Sequence, residues 1–493
     1  MLFKRAIHLM ALCLPAPVAG AALITVGPGL DAETISDALV LAADGDEVAL
    51  ASGTWVAAAA GEPVLWLQQR SLVVRALDAN DPPVLDGGAT GRAVVADGGI
   101  VVLQDLVLRG GAIPGGDLDG DGVTADWERS GGAITMHVAD VTMERVWIDG
   151  GSAFHGGCIG AWASDLACID MDVTAGTATF FGGGMRVHGG SLTWSGGVLS
   201  NCLADTGGGL VAGGGCDVSL SQVAVQSCQA TWFGGGACLD SSQSSVNAVF
   251  SAVSVSMCSA GGGGGGVYVY GGVLQASDLT VELCTADNGA GIDAIDTVLV
   301  ISVGSLRNNT ASDEGGGIRV IDGSALIEHV TVQGNAAVYG GGVLLDWCES
   351  PLLLDVSCSD NDAVLRGGAL YATGASNTFV TECNVSSNTA GLGVDGMVFA
   401  SSNAGQVSGT EFCGQAVHVG GTWVDLGDNT FDDVCAGSAC AGDVDGSGQV
   451  GPGDVVELIY LWGGGSGAAD CDGDGLVGVL DLIIVLRRWG LVC

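Results

Sequence analysis

Two stretches near the C-terminus carry oxygen donors at spacings suited to a hard cation. Asp443, Asp445, Ser447 and Asp454 stand at positions 1, 3, 5 and 12 of a loop, with Gly448 at position 6 and the Gln449 carbonyl at position 7. Twenty-seven residues on, Asp470, Asp472, Asp474, the Leu476 carbonyl and Asp481 repeat the arrangement around Gly475. Ca²⁺ takes six to eight hard oxygens around a tight turn, and the glycine makes that turn. A third stretch, Asp117, Asp119, Asp121 and Glu128 with Gly122 at the turn, has donors at the same four positions but stands alone. Ca²⁺ is the expected ligand of all three. Each C-terminal loop leads into an apolar helix that ends in Trp-Gly, at Trp462-Gly463 and Trp489-Gly490.

A second set of candidate residues depends on a repeat that must position them. Glycine clusters recur along the chain, and the last Gly of each falls at 132, 157, 184, 209, 236, 266, 291, 317, 342, 368 and 393. Intervals of 25 to 30 residues, held over eleven units, mean a solenoid. After each anchor comes a short alternating stretch such as Val267-Tyr268-Val269-Tyr270 or Ile318-Arg319-Val320-Ile321, which is a β signature. The glycine density excludes helical repeats. One rung of a parallel β-helix fits this unit, with successive rungs about 4.8 Å apart.

Seven or eight residues before the anchors lie Cys202, Cys228, Cys258, Cys284, Asn309, Asn335 and Asn361, a column expected to face inward. Asparagines there can bond the turn backbone from rung to rung. The cysteines lie one rung apart, within disulfide reach as Cys202–Cys228 and Cys258–Cys284, or they pack as a column of free thiols.

In each strand the second and fourth residues past the anchor should face outward. That places Arg186 with His188, then Cys238 with Asp240, then Tyr268 with Tyr270, and then Asp293 and Arg319 at the equivalent position of the next two rungs. Tyr268, Tyr270, Asp240, Asp293 and Arg319 form a candidate carbohydrate site, because tyrosine rings stack on sugars while acids and arginine bond hydroxyls. Arg186 and His188 are at most candidate acid and base partners.

Ile24-Thr25-Val26-Gly27-Pro28-Gly29, a short helix near Thr34–Leu39 opened by Asp31, and then Gly45-Asp46-Glu47-Val48 and Ser52-Gly53-Thr54-Trp55 resemble the entry segment of right-handed parallel β-helix proteins of the pectate-lyase-like superfamily. The resemblance implies that the helix plugs one end of the coil. The GGG units with upstream Asn also resemble the GGAI and Asn repeats of polymorphic outer-membrane proteins. Together these cover residues 24–430 and imply a fold that hosts lyases, hydrolases, adhesins and inert stalks. Val146-Trp147-Ile148-Asp149 is similar to a pectate-lyase strand motif, but Gly150-Gly151 follow where that family has His. The duplicated loop–helix at 435–493 resembles a type I dockerin, which implies two Ca²⁺ ions and a cohesin-like or other cell-surface protein partner. Recognition positions 10 and 11 depart from that family, holding Pro452-Gly453 and Val479-Leu480. Cys435, Cys440, Cys471 and Cys493 surround the module in a pairing the residues leave open.

Composition narrows the classes. The chain holds 86 glycines in 493 residues, 55 acids against 14 basic residues, and a net charge of −41. Lys4 is its single lysine. Nucleic acid and anionic membranes need clustered Lys and Arg, so both are excluded as direct partners. Residues 1–21 read as a secretory signal: Lys4-Arg5, the apolar stretch Ala6–Val18, and the Ala19-Gly20-Ala21 cleavage site. No later segment is long and apolar enough to span a bilayer. The expected organisation is therefore a signal at 1–21, an all-β parallel β-helix at 22–434 with a calcium-loop insertion at 117–128, and an EF-hand-like calcium module at 435–493. The expected function is a secreted or cell-surface protein that binds carbohydrate or serves a structural-adhesive role. A polysaccharide lyase or glycoside hydrolase acting in an outer groove is the alternative.

Overall fold

The structure, a computed structural model, describes residues 20–113, 117–118, 120–374, 377–392, 395–400, 403–415, 418–432, 444, 450–463, 469, 477–487 and 489. The proposed signal core, the four cysteines around the C-terminal module and most of its loop donors lie outside these residues. The chain divides into two compact units, Met1–Gly304 and Ser305–Cys493.

Each unit is a parallel β-solenoid. Strands are short and pair in parallel with strands one turn later in the chain. In the first unit, Ile159 pairs with Met185, Met185 with Leu210, Leu210 with Ala237, Ala237 with Val267 and Val267 with Ile292. All six side chains are buried, so one aliphatic position stacks on itself up the interior. In the second unit Ile318, Val343, Leu370 and Met397 do the same.

These registers refine the glycine column. The residue before the first strand position is Gly184, Gly209, Gly236, Gly266 and Gly291 in the first unit, and Gly317 and Gly342 in the second, as the spacing predicts. It is Ala133, Cys158, Ala369 and Gly396 elsewhere, not Gly132, Gly157, Gly368 and Gly393. Gly393 itself lies outside the described residues. The position faces the crowded interior and needs a small side chain, which Ala or Cys also provides.

The second column is inward and buried throughout. In the first unit Cys202, Cys228, Cys258 and Cys284 are free thiols, each hydrogen-bonded to the next. They form a ladder of thiols, not the two disulfide staples. In the second unit the ladder is amide: Asn309, Asn335 and Asn361 continue into Asn388 and Gln415, beyond the column expected from the spacing. Asn335 Oδ1 accepts from the Asn309 backbone N–H and from Asn309 Nδ2, both at 3.0 Å. Asn335 Nδ2 donates to Leu306 O at 2.9 Å and to Asn361 Oδ1 at 3.0 Å. The residue just before each rung of the ladder takes left-handed backbone, as at Asn201, Ser227, Met257, Leu283 and Asn308, with φ between 53° and 56°. That turn swings the next side chain inward. Asn335→Ala is expected to cost about 3 kcal/mol, because it strands several fully buried polar groups, and a lowered urea midpoint for the second unit checks it.

Three short helices accompany the strands among the described residues. Ile35–Leu41 is opened by Thr34, whose Oγ1 accepts from Asp37 N. Asp31 is not its cap; that carboxylate accepts from the Thr25 amide and hydroxyl. Pro452–Tyr460 and Val479–Arg487 begin at loop position 10 of each C-terminal repeat, so the last residues of each loop are already helical. Val450, Leu458, Val477 and Val485 are buried together, with Val455 and Leu482 packed against them. These pair off at the repeat interval: 450 with 477, 455 with 482, and 458 with 485. No helix among the described residues is long and apolar enough to cross a membrane.

Candidate functional site

The strongest cluster lies on the outer face of the first unit. Four strands place it: Trp147–His155, Ile159–Ile169, Asp172–Phe181 and Met185–Ser200. Trp162 pairs with His188, Gly160 with Arg186, and His155 with Phe181, one turn apart. Gly160, itself buried, puts no side chain beside Arg186. Ser130 closes part of that space; a Cβ on Gly160 would meet the Ser130 Cβ at 2.4 Å.

The Arg186 guanidinium lies between two aromatic rings. Its Cζ is 4.8 Å from the Trp162 ring centroid and 4.5 Å from that of Phe181. Nη1 approaches His155 Nδ1 at 3.2 Å, which makes Nδ1 the acceptor and leaves the imidazole proton on Nε2. Nε2 in turn faces Asp126 Oδ1 at 4.0 Å. Arg186 Nε is buried and bonds nothing. Burial pulls Arg186 down to about 10, with Asp126 and Asp240 opposing. Burial, and then the Arg186 charge, pull His155 down to about 4, so it is neutral near pH 7. His188, its ring 4.6 Å from Trp162, is lowered by the same two causes.

The inserted segment supplies the other wall. Ser130 Oγ accepts from Trp162 Nε1 at 2.9 Å and donates to Asp126 O at 2.7 Å. Trp127 stacks on His137 at 4.6 Å, and His137 Nδ1 meets Asp97 Oδ1 at 3.0 Å. Arg129 lies over Phe154 at 5.6 Å. Buried Arg92 pins the segment from below, donating to the carbonyls of Glu128, Ser130 and Gly131. The calcium-loop residues behave as a closed turn. Glu128 is fully buried and its carboxylate accepts from the Leu118 and Ala125 amides. Asp117 accepts from the Gly120 and Gly122 amides, both at 2.7 Å, and Asp121 from Val123 at 2.7 Å. Asp119 lies outside the described residues. Among the described residues no three His, Cys, Asp or Glu side chains converge on one point.

The carbohydrate residues expected from the sequence are only partly brought together. Tyr268 pairs with Cys238 and Asp293, and Tyr270 with Asp240, on adjacent turns. Tyr268 and Asp293 are not exposed as a strand face would suggest: they are 9% and 1% accessible. Phe233 stacks on Tyr268 at 4.7 Å and, with the glycine run before the strand, folds over this row. Burial, and then the Asp293 charge, push the Tyr268 hydroxyl above its ordinary range. Tyr268, Cys238 and Val211 form a small cluster that Phe181 joins, so one apolar floor runs from this row to the Arg186 sandwich. Arg319 belongs to the second unit, where its Nε pairs with Glu314 Oε2 at 3.0 Å.

Sequence reasoning placed Arg186 and His188 on this face but missed Trp162, Phe181 and the inserted wall. The register was the usable signal, since Trp162 lies 26 residues before His188, and His155 lies 26 before Phe181.

In the C-terminal module, Asp454 is fully buried and its Oδ2 accepts from the Gly451 amide at 2.6 Å. Asp481 falls within Val479–Arg487. Asp443, Asp445, Ser447, Gln449, Asp470, Asp472, Asp474 and Leu476 lie outside the described residues.

The family described as right handed beta helix region matches residues 296–448. The fold is a right-handed parallel β-helix. Compared with curated protein sequences, the chain finds no match. The match covers the later turns of the β-helix, whereas the Arg186 cluster lies before it, so the site rests on its own geometry.

Proposed function

We propose that this chain is an extracellular, surface-attached β-helix that binds an acidic polysaccharide on the outer face of its first unit, one acid group meeting Arg186 and the other contacts falling to aromatic rings, so that the clustered basic residues the chain lacks are not required. The observation that carries the reading is the Arg186 guanidinium, held between Trp162 and Phe181 on the outer face. Aromatic rings take the apolar faces of sugar rings, and a desolvated guanidinium takes a carboxylate or sulfate ester. Phe181 leads on to Phe233, Tyr268 and Tyr270, which supply further surface along the polymer. The test is electrophoresis through gels containing polygalacturonate, alginate or chondroitin sulfate. Retardation in at least one, relieved by Arg186→Gln, supports the reading; free passage through all three sinks it.

A second reading, cleavage of the same polymer by a lyase or hydrolase, is favoured by one feature. Neutral His155 sits between Arg186, which would hold the sugar's acid group, and Asp126. Release of unsaturated or reducing ends in the same incubations would make this the primary reading.

Attachment falls to residues 435–493, read as a calcium-folded, dockerin-like module, with export directed by residues 1–21. Asp443, Asp445, Ser447, Gln449 and Asp454 would hold one Ca²⁺, and Asp470, Asp472, Asp474, Leu476 and Asp481 a second. Asp117, Asp119, Asp121 and Glu128 would hold a third that braces the inserted wall. The ion supplies positive charge that lets crowded carboxylates share one turn. Docking is supported by matched apolar side chains, exposed at equivalent places in both repeats: Val456 with Ile483, Ile459 with Leu486, and Trp462 with Trp489. A cohesin-like or other surface protein is the partner of this reading. Chelation is expected to open residues 440–493 to protease while the solenoid survives; equal cleavage of that segment with and without chelator would remove the module from the proposal.

A further inference from the structure

The second unit carries its own aromatic and acidic cluster. Three adjacent outer positions recur on successive turns. Glu314 pairs with Tyr339 and Tyr339 with Arg366 in one column. Arg319, Leu344, Tyr371 and Val398 follow one another in the next, and Ile321, Asp346, Thr373 and Ala400 in the third. Tyr339 and Tyr371 are half-buried, with ring centroids 5.4 Å apart. Trp347, next to Asp346, is 62% exposed and lies flat over Gly374, where a Cβ would come within 2.8 Å of its ring. One turn on, where Arg366 pairs with Tyr339 and Val398 with Tyr371, a cleft of about 410 Å³ is lined by Arg366, Val398, Phe399 and Thr422 among others.

We propose that this cluster is a second saccharide site, independent of Arg186, for a neutral sugar that stacks on Tyr339, Tyr371 and Trp347 and donates hydroxyl protons to Glu314 and Asp346. Arg319 is held by Glu314 at 3.0 Å and its side chain is 15% exposed, so its charge is locally offset. Asp322 and Asp346 add negative charge on the same turns, and burial with Glu314 and Asp322 nearby already raises the Asp346 carboxyl above its usual range. Arg366, whose charge also reaches Tyr371, brings the named groups to three carboxylates against two arginines, so an anionic sugar gains little here, whereas hydroxyl groups meet acceptors. The two clusters thus differ: one presents a desolvated cation, the other mixes carboxylates and arginines around aromatic rings.

The test is electrophoresis of the full chain through gels containing xyloglucan, galactomannan or mixed-linkage β-glucan. Retardation in at least one is expected. Tyr371→Ala should weaken it at least 5-fold, and Tyr371→Phe, which keeps the ring, should preserve it; Tyr339→Ala provides a second variant if Tyr371→Ala folds poorly. Free passage through all three gels overturns the proposal, and so does retardation that both alanine variants leave unchanged.

Discussion

Arg186→Gln is expected to weaken binding of the acidic polysaccharide by roughly 30- to 150-fold, the equivalent of about 2–3 kcal/mol for losing a charge-assisted hydrogen bond in a desolvated setting. Glutamine keeps much of the length and polarity of arginine but not its charge, and its amide cannot fill the space between Trp162 and Phe181 as a guanidinium does. Arg186→Lys should fall between the two, since it restores charge without a flat group for the rings. Binding should be steady from pH 6.5 to 9, because Arg186 keeps its charge to about 10 and His155, at about 4, is already neutral. The variant carries a second signature. Arg186 is the second cause of the His155 depression, so its removal should move His155 upward, while burial, the larger cause, keeps it below 6.5. NMR titration of His155 would read this, and an unchanged value would show that the two groups do not interact. Since His155 is depressed in the fold, the unfolded chain takes up its proton first, and this contribution to stability is lost as pH falls from 6.5 toward 4.

Gly208→Ala is expected to destabilise the first unit by about 3 kcal/mol or more, through close backbone approach and not through lost contacts. A Cβ there would lie 2.3 Å from Gln229 O and 2.5 Å from Gly235 O. Both are backbone atoms of the next turn, and no rotamer relieves them; the turns themselves must separate. Gly213→Ala on the same turn is the control, because its Cβ would meet Asp240 O at an ordinary 3.4 Å. A marked fall in urea midpoint for the first variant and little for the second is the expected pair of results. Equal effects would mean that glycine flexibility, not turn spacing, sets the requirement.

Much of the architecture was legible because a solenoid writes its geometry into a linear period. Gly184, Gly209 and Gly236 mark the turns, and Cys202, Cys228, Asn335 and Asn361 mark a buried column, as the registers bear out. The period misled where a different small residue served. Ala133, Cys158 and Ala369 hold the same place as glycine, so counting glycines put the anchor one residue early. The choice between thiols and staples was also open from spacing alone, and in the structure the four cysteines form a hydrogen-bonded ladder.

The candidate site was less legible, for a physical reason. Strand alternation says which way a side chain leaves the backbone, not what lies over it. Tyr268 and Asp293 do leave outward, yet Phe233 and the preceding glycine run bury them. Arg186 and His188 also leave outward, and alternation cannot show that Trp162 and Phe181 from neighbouring turns close around the guanidinium. Nor can it show that the segment ending at Ser130 packs onto Gly160. The sequence alone determined the repeat, the inward columns, the acidity and the spacing of the calcium-loop donors, since each is a property of order along the chain. Tertiary structure decided which outward residues share one desolvated place, because stacking turns about 4.8 Å apart brings together groups some 26 residues apart in the chain, and only that contact gives Arg186 its two rings and its neutral histidine.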